Sequence, residues 1–165
     1  MNSERIDGRR RAALKTGGGA TLLALLGAAG WLRPDLAQAQ AQAWNKAAFE
    51  THSMAETMQA LGGGDPAQSK DIVFFQTPDI AENGAVVPVG CATTLAGVKR
   101  LALLVEKNPN TLAAAFDVSD AVEPNFNTRV KMGQTSNVFA VAFMADGRVL
   151  YAQKEVKVTL GGCGG

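Results

Sequence analysis

The chain has 165 residues, 47% of them hydrophobic and 19% charged, with 16 Lys+Arg against 15 Asp+Glu. That is the length of a single domain, and the composition excludes wholesale disorder. The first 43 residues hold six basic side chains (Arg5, Arg9, Arg10, Arg11, Lys15, Arg33) and three acidic ones (Glu4, Asp7, Asp35), which leaves ten basic against twelve acidic from Trp44 onward. A remainder so close to neutral excludes a nucleic-acid-binding surface.

The N-terminal stretch GRRRAALKTGGGATLLALLGAAGWLRPDLAQAQAQAW reads as an export signal: a basic start, a Gly/Ala/Leu-rich core and alternating small residues that fit A-x-A cleavage. Arg10-Arg11-Ala12-Ala13-Leu14-Lys15 resembles the twin-arginine signal, with Ala13 where that motif prefers a bulky apolar residue. The apolar core is too short and too rich in glycine for a membrane-spanning helix, which needs ~20 apolar residues. The expected organisation is a signal over 1–43, a folded domain over 44–160 and a tail over 161–165. The mature protein is then periplasmic, with no membrane association after cleavage. Removal of 43 residues would leave 122 of the 165, enough for one modest core.

Past the signal, AAFETHSMAETMQALGGG is helical in pattern. Ser53-Met54-Ala55-Glu56 fits a capping box, in which hydroxyl and carboxylate satisfy free backbone N–H groups. Met54, Met58 and Leu61 then fall on one apolar stripe, and Gly62-Gly63-Gly64 ends the helix. A helix this short must dock on something. His52, the only histidine, precedes the cap and reads as a solvated or helix-end residue.

From Asp71 the period changes to alternation. In AVVPVGC, Val87, Val89 and Cys91 share a face, while Pro88 points to an edge strand or a bulge. RLALLVEK is apolar throughout its middle, as a central strand requires, and its residues 101–105 read as core. NFNTRVKM puts Phe126, Thr128, Val130 and Met132 on one side and Asn127, Arg129 and Lys131 on the other. Arg129 and Lys131 read as a solvated face, or as a site that docks an acidic partner or steers an anion. NVFAVAFMADGRVLYAQKEVKVTL reads as a hairpin turned by Asp146-Gly147 in a type I′ turn. Leu150, Ala152, Val156, Val158 and Leu160 share one face of its second strand, and Lys154 interrupts them as a bulge would. Glu82-Asn83-Gly84 and Lys107-Asn108-Pro109-Asn110 separate strands. The fold expected is all-β: an immunoglobulin-like antiparallel sandwich with a short N-terminal helix and a flexible C-terminal arm. An excess of apolar strand faces over what one small sandwich buries would fit a stable heterodimer.

The tail is GGCGG. Cys163 lies between Gly161-Gly162 and Gly164-Gly165, which carry no side chains to pack and leave the backbone wide freedom. Three residues beyond Leu160 give the thiol a reach of about 10 Å, long enough to enter a pocket and slim enough to pass a narrow channel. Nothing in such a tail holds a thiolate against a fixed oxyanion hole, so the placement suits a carried group better than a catalyst. Thiols accept sulfur reversibly as disulfides and persulfides. Cys91 reads as a buried, inert small residue, with a reversible Cys91–Cys163 disulfide as the alternative. With one histidine and two cysteines the chain lacks the usual ligands for a zinc site of its own.

The terminal TLGGCGG, with the preceding KEVKV, resembles the C-terminal signature of the SoxY family of periplasmic sulfur-oxidation proteins. AWNKAAFE, IAENGAVVPV, LLVEKNPN and TRVKMGQTS extend the resemblance over most of the chain after the signal. The resemblance implies an immunoglobulin-like sandwich, a SoxZ-like partner subunit, and pathway intermediates carried covalently on the tail cysteine, here Cys163. It implies a non-catalytic carrier without a cofactor, because haem and metals belong to the partner enzymes: a cytochrome that attaches thiosulfate, a hydrolase that releases sulfate, and a sulfane dehydrogenase. Two other readings compete. Gly164-Gly165 superficially suits a ubiquitin-like thiocarboxylate carrier, but ATP-dependent adenylation does not fit an exported protein. The other is an exported immunoglobulin-like assembly module whose tail cysteine crosslinks.

Overall fold

A computed structural model describes residues 45–160. The signal expected over 1–43, with Arg10 and Arg11, and the tail residues Gly161, Gly162, Cys163, Gly164 and Gly165 lie outside the described residues.

The helical stretch is two helices, α1 (Lys46–Phe49) and α2 (Met54–Ala60), broken between them by Thr51 and Ser53. Ser53 caps α2 by accepting from the Glu56 N–H (3.2 Å), and the Glu56 carboxylate accepts from the His52 N–H (2.9 Å), one residue earlier than an ordinary capping box. Gly62, at φ 78°, and Gly63 close its other end, donating to the carbonyls of Gln59 and Met58. The Nδ1–H of exposed His52 donates to the Pro109 carbonyl (2.6 Å), so this helix-end residue ties α2 to the 107–110 turn.

Nine strands follow: β1 (Ala67–Gln68), β2 (Ile72–Phe75), β3 (Ile80–Ala81), β4 (Val87–Thr93), β5 (Val98–Val105), β6 (Leu112–Asp117), β7 (Asn125–Val130), β8 (Ser136–Met144) and β9 (Val149–Val158). The larger sheet runs β1-β9-β8-β5-β6, with β3 added to β9, and the smaller runs β2-β4-β7. All pairings are antiparallel except the two short parallel ones that β1 and β3 make along the outer edge of β9. The immunoglobulin-like sandwich expected from the alternating strands is the fold observed.

Why residues 101–105 are apolar at every position is visible in the two cores. Leu101, Leu103 and Val105 pack between the sheets with Val87, Val89, Cys91, Val138 and Ala140. Ala102 and Leu104 face the other way, where Ala48, Met58, Phe139, Val141 and Phe143 form a second cluster under the helices. The central strand is covered on both faces, so period 2 disappears. Each fully buried leucine contributes about 1.5–3 kcal/mol. Phe116 of β6 stacks on Phe126 of β7, ring centroids 4.4 Å apart, closing one side of the sandwich where the sheets meet.

Three local expectations change. β4 is the middle of its sheet rather than an edge, yet β2 pairs only with its residues 90–93, so Pro88 sits past the end of β2, where a missing N–H costs nothing. The hairpin after β8 is not type I′, since Gly147 (φ 87°) alone has positive φ there. Gly147 donates to Met144 and Met144 donates to Arg148, a tight turn with a glycine bulge. Finally, no bulge occurs at Lys154. The β8–β9 register is unbroken from Phe143↔Val149 to Ser136↔Val156, and Lys154 stands in it opposite Val138. Its aliphatic stem lies on the face shared by Ala152 and Val156 while the ammonium turns out to polar partners.

Candidate functional site

The site is the carboxyl end of β9, from which the tail departs. The β8–β9 ladder stops at Val156. Beyond it the strand is held from its other edge. The Lys157 N–H donates to the Asp79 carbonyl (2.9 Å), and the Thr159 N–H to Ala81 (3.1 Å). The Thr159 hydroxyl donates to the Glu82 carbonyl (3.0 Å). Gly84 closes the set, its N–H donating to the Leu160 carbonyl (2.7 Å) while its own carbonyl accepts from Met132 (2.7 Å). On the other side the Thr135 hydroxyl accepts from the Val158 N–H (3.0 Å). The last described residue is thus tied into the loops at one end of the sandwich, and Leu160 is 69% exposed there.

The segment that provides these acceptors is itself fastened. Lys154 Nζ donates to the Thr77 carbonyl (2.5 Å) and lies 3.0 Å from the Asp79 carboxylate. The Thr77 hydroxyl accepts from the Gly90 N–H in β4 (3.1 Å). Gln76, at φ 49°, turns the chain out of β2, and its side chain accepts from the Asn127 amide.

Around this end the described surface mixes exposed apolar side chains (Ile80, Val86 and Leu160) with polar ones. Lys107 and Lys131 are exposed, and the Asn108 amide donates to the Lys131 carbonyl (2.7 Å). Arg129 is exposed on the outer face of β7, as the alternation requires. An open groove of about 570 Å³ lies at the opposite end, between Lys70, Asp71, Thr93, Glu123 and Asn125. Among the described residues no cluster of three His, Cys, Asp or Glu could hold a metal, and no helix is long and apolar enough to cross a membrane.

Cys91 is a free thiol in β4, fully buried between the sheets and flanked across the ladder by Phe74 and Phe126. A bond from Cys91 to Cys163 would require the sandwich to open, so the inert reading is the one the fold supports. Burial pushes the Cys91 thiol up from 9.0 to about 11. The folded state keeps the proton that the unfolded chain releases above its ordinary value. This contribution is therefore complete below pH 9.0 and is lost as pH rises to about 11, a fall of about 2–3 kcal/mol. Cys91→Ala should lack that component, as denaturant midpoints on either side of the window will show. At neutral pH an alkylating reagent should modify the native protein at Cys163 alone and reach Cys91 only after unfolding. Equal labelling of both thiols would contradict this.

The described residues form an immunoglobulin-like β-sandwich whose last strand is held up to Leu160, and the sequence continues from there as a glycine-flanked cysteine. The comparisons with known proteins give the family. The model of the family described as sulfur oxidation protein SoxY matches residues 57–163, so its match ends on Cys163. Among solved structures, the sulfur carrier protein SoxY from Chlorobium limicola f. thiosulfatophilum is 34% identical with a TM-score of 0.54, over 62% of this chain and 93% of that one. A superoxide reductase (neelaredoxin) from Ignicoccus hospitalis is 14% identical with a TM-score of 0.47, over 53% of this chain and 78% of that one. The fibronectin(III)-like modules of Clostridium thermocellum CbhA are 18% identical with a TM-score of 0.41, over 54% and 46%. No curated protein matches the chain. The chain belongs to the SoxY family of sulfur oxidation proteins.

The sequence names no strand at β1, β2, β3 or β6, and its alternation marks Glu82-Asn83-Gly84 as a turn. β3 is two residues long, and Ala113-Ala114-Ala115 of β6 shows no contrast between faces. The signal for the tail's anchorage was IAENGAVVPV, whose importance lies in contacts with residues more than 70 positions away.

Proposed function

We propose that the protein is a covalent carrier of sulfur intermediates on Cys163 during thiosulfate or sulfur oxidation, and that it presents them in turn to partner enzymes. The observation that carries this reading is the family match, which extends into the tail and ends on that cysteine. The thiosulfate-derived adduct forms when the Cys163 sulfur and the sulfane sulfur of thiosulfate join in an S–S bond. The thiol proton is released and the electrons pass to a haem-containing partner. Hydrolysis by a second partner inserts water at the terminal sulfone, releasing sulfate and protons and leaving a persulfide on Cys163. A sulfane dehydrogenase oxidises that outer sulfur to the sulfonate level with oxygen from water, passing the electrons to its own redox centre and releasing protons, and a second hydrolysis releases sulfate and returns the free thiol. The protein supplies no cofactor and no catalytic residue to these steps. It functions in the periplasm after export on Arg10 and Arg11, paired with a SoxZ-like subunit.

Intact-mass analysis of protein from cells given thiosulfate tests the proposal. Adducts on Cys163 in steps of sulfur, or of sulfur with oxygens, are expected. Unmodified protein, or only a Cys163-crosslinked dimer, would favour the assembly-module reading instead.

The arm should also depend on its lack of side chains. Gly161→Val with Gly162→Val is expected to slow loading by each partner tenfold or more while the thermal midpoint stays within a degree or two, because both follow the last strand, which ends at Val158, in sequence. Wild-type loading rates in the double variant would remove the case for a slim arm.

A further inference from the structure

The β8–β9 ladder and the tail do not meet. Between Val156, where pairing to β8 ends, and Leu160, the last described residue, the chain is held chiefly by residues 79–84 from the outer edge. Cys163 is the third residue after Leu160, a length of chain that spans at most about 10 Å, and the seventh after Val156, a length that spans at most about 23–25 Å. Residues 76–84 therefore decide the length of the arm.

We infer that residues 76–84 form a strap that sets where the carrier arm begins, with Lys154 and Thr159 as the positioning residues that hold it down. The strap is anchored at its start by the Thr77 hydroxyl, which accepts from the Gly90 N–H of β4. In its middle Lys154 reaches across to the Thr77 carbonyl and the Asp79 carboxylate. At its end Thr159 bonds Glu82 through the hydroxyl, and Gly84 bridges Leu160 to Met132. Two properties separate this from a simple edge cover. The pairing is parallel and only two residues long, so it adds little to the sheet by itself. In addition, most of the bonds fall on the part of β9 that β8 does not pair. A thiol presented from a fixed origin samples a small volume, which raises its effective concentration at a partner's site docked on that end. The inference rests on the carrier reading for its purpose but not for its structural content.

The test uses the full chain with Lys154→Met and Thr159→Val combined, substitutions of similar size that remove strap bonds and leave the β8–β9 ladder intact. Amide hydrogen exchange at Lys157 and Thr159 should accelerate at least tenfold, while amides of β8 keep their protection. A spin label on Cys163 paired with one on Lys99→Cys, at the exposed start of β5, should show a distance distribution broadened by about 10 Å. Lys154→Arg, which keeps a donor, should behave as wild type. Unchanged exchange and unchanged distances in the double variant would overturn the strap. If the strap opens, partner-dependent loading should fall at least fivefold while alkylation of Cys163 by a small reagent keeps its rate. Loading at the wild-type rate would overturn the positioning role. A wild-type protein that takes no adduct would refute the carrier reading, with the exchange result still deciding the strap.

Discussion

Cys163→Ser should take no sulfur adduct when supplied with thiosulfate and the partner enzymes, and Cys91→Ala should load as wild type does. The effect at Cys163 is a complete loss, because a serine oxygen forms no stable S–S or persulfide equivalent and the bond to be made is at sulfur. The contrast with Cys91 is what gives the experiment its force. Both residues are cysteines, but Cys91 is fully buried between the sheets, with its thiol held in the protonated form. The nucleophile is the thiolate, so a buried thiol pushed up to about 11 is a poor acceptor even if a partner could reach it. Intact mass and peptide mapping of the two variants read this directly. Adducts surviving in Cys163→Ser would place the carried sulfur elsewhere and end the proposal. Because Cys163 follows the last strand, which ends at Val158, in sequence, the same variant should keep the wild-type thermal midpoint.

The second large effect is expected in the fold. Gly90→Ala should lower stability by about 3 kcal/mol, or the thermal midpoint by ~12 °C. Gly90 sits in β4 opposite Phe75, whose ring lies over it. A Cβ at that position would stand 2.6 Å from the Phe75 carbonyl oxygen and 2.7–2.8 Å from two ring carbons. The ring can swing, but the carbonyl is backbone, so the β2–β4 pairing must open or shift. The same residue donates its N–H to the Thr77 hydroxyl, so a shift at Gly90 also disturbs the start of the strap. A midpoint within ~3 °C of wild type would show that β2 moves freely on β4. Loading of Cys163 measured well below the new midpoint separates that effect from a loss of folded protein.

Much of the scaffold was legible along the chain. Alternation in NFNTRVKM places Arg129 and Lys131 outside and Val130 and Met132 inside, and the structure keeps that order. The cap at Ser53 and the stop at Gly62 are local chemistry, readable from neighbouring residues. Lys154 was misread for a physical reason. A charged residue in an apolar face looks like a slipped register, whereas a lysine long enough to reach a carbonyl keeps the register and carries its charge out. The hairpin turn was misread because Asp-Gly serves two turn types, and the choice between them depends on pairing beyond the turn.

What the sequence by itself determined is the sandwich class and the inward face that holds Cys91, because patterning of period 2 needs only neighbours to be read. Only the tertiary structure decided how the end of β9 is held, up to Leu160. That depends on Asp79, Ala81, Glu82 and Gly84 meeting the end of β9 across more than 70 residues of chain. Backbone carbonyls provide most of those bonds, and a carbonyl leaves no mark on the identity of the residue that bears it.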